Sequence, residues 1–123
     1  MGADPRHLAG SAAEAAAARL LTAHGLRQVD ANVRYRDGEL DLVMRDGGTL
    51  VFVEVRYRAR EDFGGAAASV TPAKQRRLIR AATRYLAAHR AYAQLPCRFD
   101  VVCATGDPQA PEMQWLPAAF DAG

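Results

Sequence analysis

The segment Thr49–Tyr57 limits the possible folds of this chain more than any other, because it sets a carboxylate within a run of strand-forming residues. Four apolar residues open its interior: Leu50, Val51, Phe52 and Val53. β-branched and aromatic residues of this kind favour a buried strand. Glu54 follows directly. A charged group there costs free energy unless that face is solvated or the charge has a function. The segment therefore predicts a β-sheet with an unusual acidic position.

A second strand with its own acid precedes this one. Leu40–Arg45 contains Asp41, and the turn residues Asp46-Gly47-Gly48 between the strands predict a β-hairpin. An even loop, of two residues (Asp46-Gly47) or of four, places Asp41, Glu54 and Arg56 on one face. The four-residue loop sets the two acids directly opposite, and the two-residue loop sets them diagonally. An odd loop without a bulge would separate them.

Helix and strand patterns alternate along the rest of the chain, giving the order α-β-β-β-α-β-β. The first helix is predicted over Ala12–His24, with Ser11 and Glu14 forming a capping box and Gly25 ending the helix. The other predicted elements are a strand over Gln28–Tyr35, a mobile loop over Ala59–Ser69, a helix from Thr71-Pro72 to about Ala91, a strand over Arg98–Ala104 and a short strand over Gln114–Leu116. We predict one α/β domain over 1–123, with its core over about 10–104 and a loose tail over 105–123.

Composition argues against several classes of protein. No apolar run approaches the roughly 20 residues of a membrane span, so we expect no membrane partner. We also expect no secretory leader, because the first ten residues lack an apolar stretch. Cys97 and Cys103 lie six positions apart in a predicted strand, about 20 Å, which is too far for a disulfide. A protein of the reducing cytoplasm is expected.

Two carboxylates on one sheet face form a candidate metal site. Held close, they repel each other, and one is pushed towards protonation unless a cation neutralises them. Oxygen ligands with few other donors suit Mg²⁺ or Mn²⁺. Such an ion can activate water against a phosphodiester, while a neighbouring cation stabilises the charge that develops on phosphate. Arg56, two residues after Glu54, is placed to be that cation.

At these residues the chain resembles known families. Asp41, twelve further residues and then Glu54-Val55-Arg56 are similar to the PD-(D/E)xK nuclease motif, with arginine in the place of the motif's lysine. A wider pattern resembles the small bacterial YraN-like family, which is itself similar to archaeal Holliday-junction resolvases. Its segments run from about Gly10 to Val102: Gly10-x-x-x-Glu14, Gly38-Glu39-Leu40-Asp41, Phe52-Val53-Glu54-Val55-Arg56-Tyr57-Arg58, Lys74 and Arg98-Phe99-Asp100-Val101-Val102.

The resemblance implies a restriction-endonuclease-like fold, with a mixed central sheet flanked by helices. It implies that Asp41 and Glu54 are metal ligands, that Glu14 is an additional acidic ligand, and that position 56 carries the catalytic cation. It also implies a metal-dependent endonuclease that acts on branched or structured DNA, and a homodimer, since resolvase-like relatives are often dimers. Arginine cannot release a proton, so the alternative is a nucleic-acid-binding module without chemistry.

Basic residues are predicted to hold the nucleic acid around the acidic site. Arg34, Arg36, Arg58 and Arg60 flank it in sequence, and Lys74, Arg77, Arg80 and Arg84 recur at helical spacing along the second helix. Cations beside an acidic metal centre suit a polyanionic substrate. A solvated helix face is the simpler alternative for the helical set.

The acidic residues have structural alternatives as well. Capping explains Glu14 as fully as metal ligation does, and both can hold. We favour a place at the hairpin mouth for Glu39 over ligation. A third hypothesis for the whole acidic face is a binding surface for a protein partner, without any nucleic-acid role.

Overall fold

The computed structural model describes residues 5–58 and 70–122, with side chains from residue 11 onwards. Its elements are α1 (Pro5–Ala23), β1 (Arg27–Tyr35), β2 (Gly38–Asp46), β3 (Thr49–Arg58), α2 (Pro72–Ala88), a short 3₁₀ turn (Arg90–Tyr92), β4 (Cys97–Thr105) and β5 (Glu112–Phe120). This succession confirms the predicted order α-β-β-β-α-β-β. The predicted loop over 59–69, and Arg60 within it, lie outside the described residues.

The five strands form one mixed sheet in the order β1-β2-β3-β4-β5. The pairs β1/β2, β2/β3 and β4/β5 are antiparallel. β3 and β4 are parallel, so the chain must cross over between them, and α2 lies in that crossover. The predicted mixed α/β fold is therefore confirmed, with β3 at the centre of the sheet.

The helices cover opposite faces of the sheet. Leu78 and Tyr85 of α2 belong to one apolar cluster, together with Leu50 and Phe52 of the sheet. Ala17 and Leu21 of α1 belong to the other cluster, which takes the alternate strand residues such as Val51 and Val53. Both faces of β3 are thus buried along its first half, which explains why this strand is almost continuously apolar.

The first helix begins earlier than the sequence predicts. α1 starts at Pro5, a position where proline's missing N–H is not needed, so Ser11 and Glu14 lie inside the helix. The predicted capping box is therefore wrong. The end of the helix is as predicted: Gly25 has a φ of 94°, the N–H of Gly25 donates to the carbonyl of Thr22, and that of Leu26 donates to Leu21. These two bonds form a Schellman cap.

The β2–β3 hairpin fixes the relation between the two acidic residues. Asp46 pairs with Thr49 across a Gly47-Gly48 loop, and the positive φ of Gly47, 60°, accounts for a glycine there. The predicted Asp46-Gly47 loop is wrong. Pairing extends to Leu42 and Val53, and the same register continued by one residue sets Asp41 opposite Glu54. This is the register of the predicted four-residue alternative.

The C-terminal segment is more ordered than predicted. A loose tail with a short strand was expected, yet β5 spans nine residues and pairs with β4. Its attachment includes Asp100, a fully buried carboxylate of β4 that accepts from the indole Nε1 of Trp115 at 3.0 Å and the N–H of Ala118 at 2.9 Å. Arg98 completes this set at 3.0 Å. The buried Asp100 of β4 thus holds β5 through hydrogen bonds to Trp115 and Ala118. A hydrophobic pattern in the sequence cannot reveal such polar contacts.

No helix in the described residues combines the length and the apolar character needed to cross a membrane.

Candidate metal and nucleic-acid site

Asp41 and Glu54 meet on the two central hairpin strands. Asp41 is buried, with 8% of its surface exposed, and its side chain lies within hydrogen-bonding reach of that of Glu54. Asp41 is also bound to the backbone, because its Oδ2 accepts from the N–H of Val55 at 2.8 Å. One carboxylate is thus anchored to the neighbouring strand while it touches the other carboxylate.

The backbone of β1 is irregular at Asn32, the residue that faces Asp41. The β1/β2 register joins Val33 to Leu40 and Ala31 to Leu42, and it passes over Asn32 and Asp41 between them. Asn32 has a φ of 53°, in the left-handed region that asparagine tolerates better than most residues. Leu40 packs towards α2 and Leu42 towards α1, so side-chain alternation shifts across this point. Irregular strand geometry of this kind commonly re-aims a side chain beside a functional site. The strand pattern does not single out Asn32; the asparagine within that pattern is the one hint in the sequence.

The protonation of the pair follows from its burial. Burial, with the neighbouring charge of Asp41, raises the pKa of Glu54 to about 8, although Arg56 and Lys74 act in the opposite direction. Burial also raises the pKa of Asp41 to about 6, against the lowering effect of the Val55 hydrogen bond. Without a counter-ion the pair therefore holds a proton at neutral pH. A divalent cation relieves the same repulsion, so the donor set fits a hard ion that keeps much of its water.

Arg56 lies beside this pair, as predicted, and its charge lowers the pKa of Glu54. Its Nε is buried and has no hydrogen-bond partner among the described residues. Leaving a buried donor without an acceptor typically costs about 1–3 kcal/mol. An acceptor oxygen from a bound anion or an ordered water would satisfy this donor. Among the described residues, Arg45 also has a buried Nε without a hydrogen-bond partner. It lies near the C-terminal end of β2, away from Asp41.

Lys74 also reaches the site, from the first turn of α2. Thr71 caps this helix by accepting from the N–H of Lys74 at 3.3 Å, and a proline follows the cap, as predicted. Burial and the charge of Arg56 lower the pKa of Lys74, while Glu54 raises it. The only lysine of the sequence thus lies near the carboxylates and the arginine, rather than farther out on a binding surface.

Glu14 is less closely associated with the pair. Glu14 lies on α1, and its charge raises the pKa of Asp41, so it is within electrostatic range of that carboxylate. Within residues 5–58 and 70–122, no three His, Cys, Asp or Glu side chains come close enough to hold one metal ion. The predicted third ligand is therefore not assembled with Asp41 and Glu54. Glu39 is exposed and forms an ion pair with Arg34 at 3.6 Å, which fits the favoured place at the hairpin mouth.

The predicted nucleic-acid-binding residues fall into different environments. Arg58 is the last residue of β3. Its charge lowers the pKa of Lys74, and the charge of Arg77 in α2 has the same effect. Arg80 lies near Asp37, whose pKa it lowers after the larger effect of Arg84. Arg84 forms a two-pronged ion pair with Asp37, at 2.9 Å and 3.2 Å, so its charge is already engaged.

Fold and site together define a small α/β protein whose mixed sheet, covered by two helices, carries a close pair of carboxylates, one buried and one half-buried, beside an arginine and a lysine. Residues 13–104 match the profile of the uncharacterised protein family UPF0102. The chain belongs to this family, which confirms the YraN-like resemblance. A UPF0102 protein of Xanthomonas oryzae pv. oryzae strain PXO99A is 57% identical over 117 residues, covering 95% of this chain and 94% of the relative.

Two further relatives come from other bacteria. A UPF0102 protein of Yersinia enterocolitica is 60% identical over 93 residues, covering 75% of this chain and 76% of its own length. One from Stutzerimonas stutzeri is 50% identical over 113 residues, covering 92% of this chain and 94% of the relative. These names place the chain in a family and assign no activity.

Proposed function

We propose that this protein is a metal-dependent endonuclease of the PD-(D/E)xK type that acts on branched or structured DNA. The observation that carries the proposal is the pair formed by the buried Asp41 and the half-buried Glu54, with the unsatisfied Nε of Arg56 beside it. A structural role alone gives no reason to place a buried acid against a half-buried one next to a donor that lacks an acceptor. A cation and a phosphate oxygen would satisfy both groups together.

In this proposal Asp41 and Glu54 hold Mg²⁺ or Mn²⁺, which, when bound, supplies an activated water and neutralises phosphate charge. The backbone bond from Val55 fixes the orientation of Asp41 before substrate arrives. Arg56 donates to the scissile phosphate and stabilises its transition-state charge, which one well-placed donor commonly does by about 10²–10³-fold. Lys74 adds a second positive charge on the Glu54 side.

A second candidate function is a nucleic-acid-binding module without hydrolysis. The observation that favours it is the identity of residue 56: arginine keeps its charge at all relevant pH values and cannot act as a base. It would still bind phosphate strongly. Under this candidate the carboxylate pair would only anchor an ion that bridges to the nucleic acid.

Labelled four-way, flapped and linear DNA incubated with Mn²⁺ tests both candidates. The endonuclease predicts products with wild type and none above background with Asp41→Asn. Binding without products, with wild type and with Arg56→Lys, would replace the enzyme by the binding module. An absence of binding to every DNA would contradict both.

A further inference from the structure

A groove of about 420 Å³ lies between the β1–β2 turn and α2, and its lining extends along β2 to Glu39, two residues before Asp41. Its lining residues are Arg34, Tyr35, Arg36, Asp37, Gly38, Glu39 and Arg77. Two of them are electrostatically linked to the site. Glu39 repels the charge of Asp41. Arg77 repels the charge of Lys74, and Lys74 in turn attracts that of Glu54. A chain bound in the groove would therefore lead towards the carboxylates.

The turn that forms one wall is held against the helix at two points. A Cβ on Gly38 would lie 2.6 Å from the backbone oxygen of Arg77, so glycine permits this close approach. About two helical turns further along α2, Arg84 forms an ion pair with Asp37 at 2.9 Å. Arg84 therefore fixes the groove wall to α2 through its ion pair with Asp37, and this pair explains why its charge is not available to a ligand.

The charge of the lining is predominantly positive. Asp37 is neutralised by Arg84, and the exposed pair of Arg34 with Glu39 at 3.6 Å is of a kind that contributes little and exchanges readily. Arg36 and Arg77 are exposed. Guanidinium groups bind phosphate oxygens through paired hydrogen bonds, so the groove is complementary to a chain of phosphates.

Tyr35 adds an aromatic surface to these cations. It is half-buried, packing partly against the apolar core under α2 while lining the groove. An aromatic ring among phosphate-binding arginines is the combination that holds single-stranded nucleic acid, because any base can stack on the ring. A duplex, whose bases are stacked internally, cannot use it.

We propose that this groove binds a single-stranded segment of the nucleic acid, with phosphates on Arg36 and Arg77 and a base on Tyr35. The inference rests on the proposed function and specifies its substrate: a DNA with an unpaired strand that leads into the carboxylate site. Arg34 joins the phosphate-binding residues by exchanging Glu39 for a phosphate oxygen.

Fluorescence anisotropy of labelled oligothymidylate, with a chelator and without added metal, tests the groove apart from hydrolysis. Arg36→Glu and Arg77→Glu should each weaken binding and flatten the dependence of log Kd on log salt by about 0.7, because each phosphate of a single strand that a cation neutralises adds about that much to the slope. Arg76→Glu, the matched control on the same helix, should leave the slope unchanged, because Arg76 does not line the groove. Equal slopes for Arg76→Glu and Arg77→Glu would overturn the proposal.

The stacking interaction has its own variant. Tyr35→Leu keeps an apolar side chain on the core and should weaken oligothymidylate binding about tenfold without altering the salt slope. Duplex affinity should not change. A variant that binds the single strand as tightly as wild type, or a wild type that prefers duplex, would overturn the single-strand assignment. If wild type cleaves DNA but no groove variant alters binding or cleavage, the single-strand proposal for the groove is wrong and the endonuclease proposal is retained.

Discussion

The N–H of Val55 donates to Oδ2 of Asp41 at 2.8 Å, just beyond Leu42 and Val53, the last paired positions of the β2–β3 hairpin. A side chain of β2 thus takes over where backbone pairing stops. The same carboxylate touches Glu54. This one bond ties the folding of the central hairpin to the geometry of the candidate site.

The carboxylate pair should make stability fall as pH rises. Burial raises the pKa of Glu54 from 4.5 to about 8, so the native state holds its proton more tightly than the unfolded chain does. Between these values the unfolded state binds fewer protons, and the free energy of unfolding decreases with increasing pH. Thermal melts in chelator across this window should show a falling melting temperature for wild type.

Glu54→Gln should flatten that profile and raise the melting temperature above pH about 8. The variant should gain little below the ordinary glutamate pKa, where wild type is protonated in both states. Glu39→Gln is the matched control, because Glu39 is exposed. A wild-type profile that rises with pH through the same window would show that the pair is not destabilising.

Asp100 should be among the most sensitive positions for stability. It is fully buried and accepts from Arg98, Trp115 and the N–H of Ala118. Asp100→Ala leaves these donors without an acceptor, and breaking a buried charged pair commonly costs about 3–5 kcal/mol. Urea unfolding followed by circular dichroism measures this loss.

The control is Asp46→Ala, which removes the other carboxylate of Arg98 at an exposed position. Exposed pairs contribute about 0–1 kcal/mol, so this variant should unfold close to wild type. Equal losses for the two variants would contradict the assigned role of Asp100 in holding β5.

Arg56 should determine how fast the proposed hydrolysis runs. Arg56→Ala should lower Mn²⁺-dependent cleavage by about 10²–10³-fold, because it removes a donor to the phosphate. Arg56→Lys should raise cleavage above wild type, since lysine can orient water and move a proton; general acid–base catalysis typically contributes about 10²–10⁴-fold. Single-turnover cleavage of labelled DNA measures both changes.

Arg45→Lys provides the matched control for this pair of variants. Arg45 also has a buried Nε without a described partner, but its guanidinium lies 6.0 Å from the ring centre of Tyr92 at the other end of β2. The Arg45→Lys variant should cleave DNA at the wild-type rate. A decrease of cleavage in Arg56→Lys equal to that in Arg56→Ala would show that the site requires arginine and that lysine offers no catalytic gain.

The sequence predicted the juxtaposition of Asp41 and Glu54 because local pattern determines it. Strand alternation and an even hairpin register suffice to bring Asp41 and Glu54 together. The first residue of α1 was missed because Ser11 also satisfies the rules for a cap, and only the helix before it decides the matter. The two interpretations are locally equivalent.

Long-range polar interactions account for most of the remaining differences. β5 depends on Asp100, eighteen positions before Ala118, and the engagement of Arg84 depends on Asp37 in a distant turn. The left-handed backbone of Asn32, in the strand beside Asp41, is likewise not specified by the strand pattern. Periodicity within a segment carries no information about such partners.

The central claim is that Asp41 and Glu54 together bind a divalent cation, and titration calorimetry of the metal-free protein with Mn²⁺ tests it most directly. Wild type should bind one ion at millimolar or lower concentration and release protons, because the pair holds a proton without metal. Asp41→Asn should abolish binding, while Glu39→Gln should bind as wild type does. An absence of heat at millimolar Mn²⁺ for wild type, or undiminished binding by Asp41→Asn, would contradict the account.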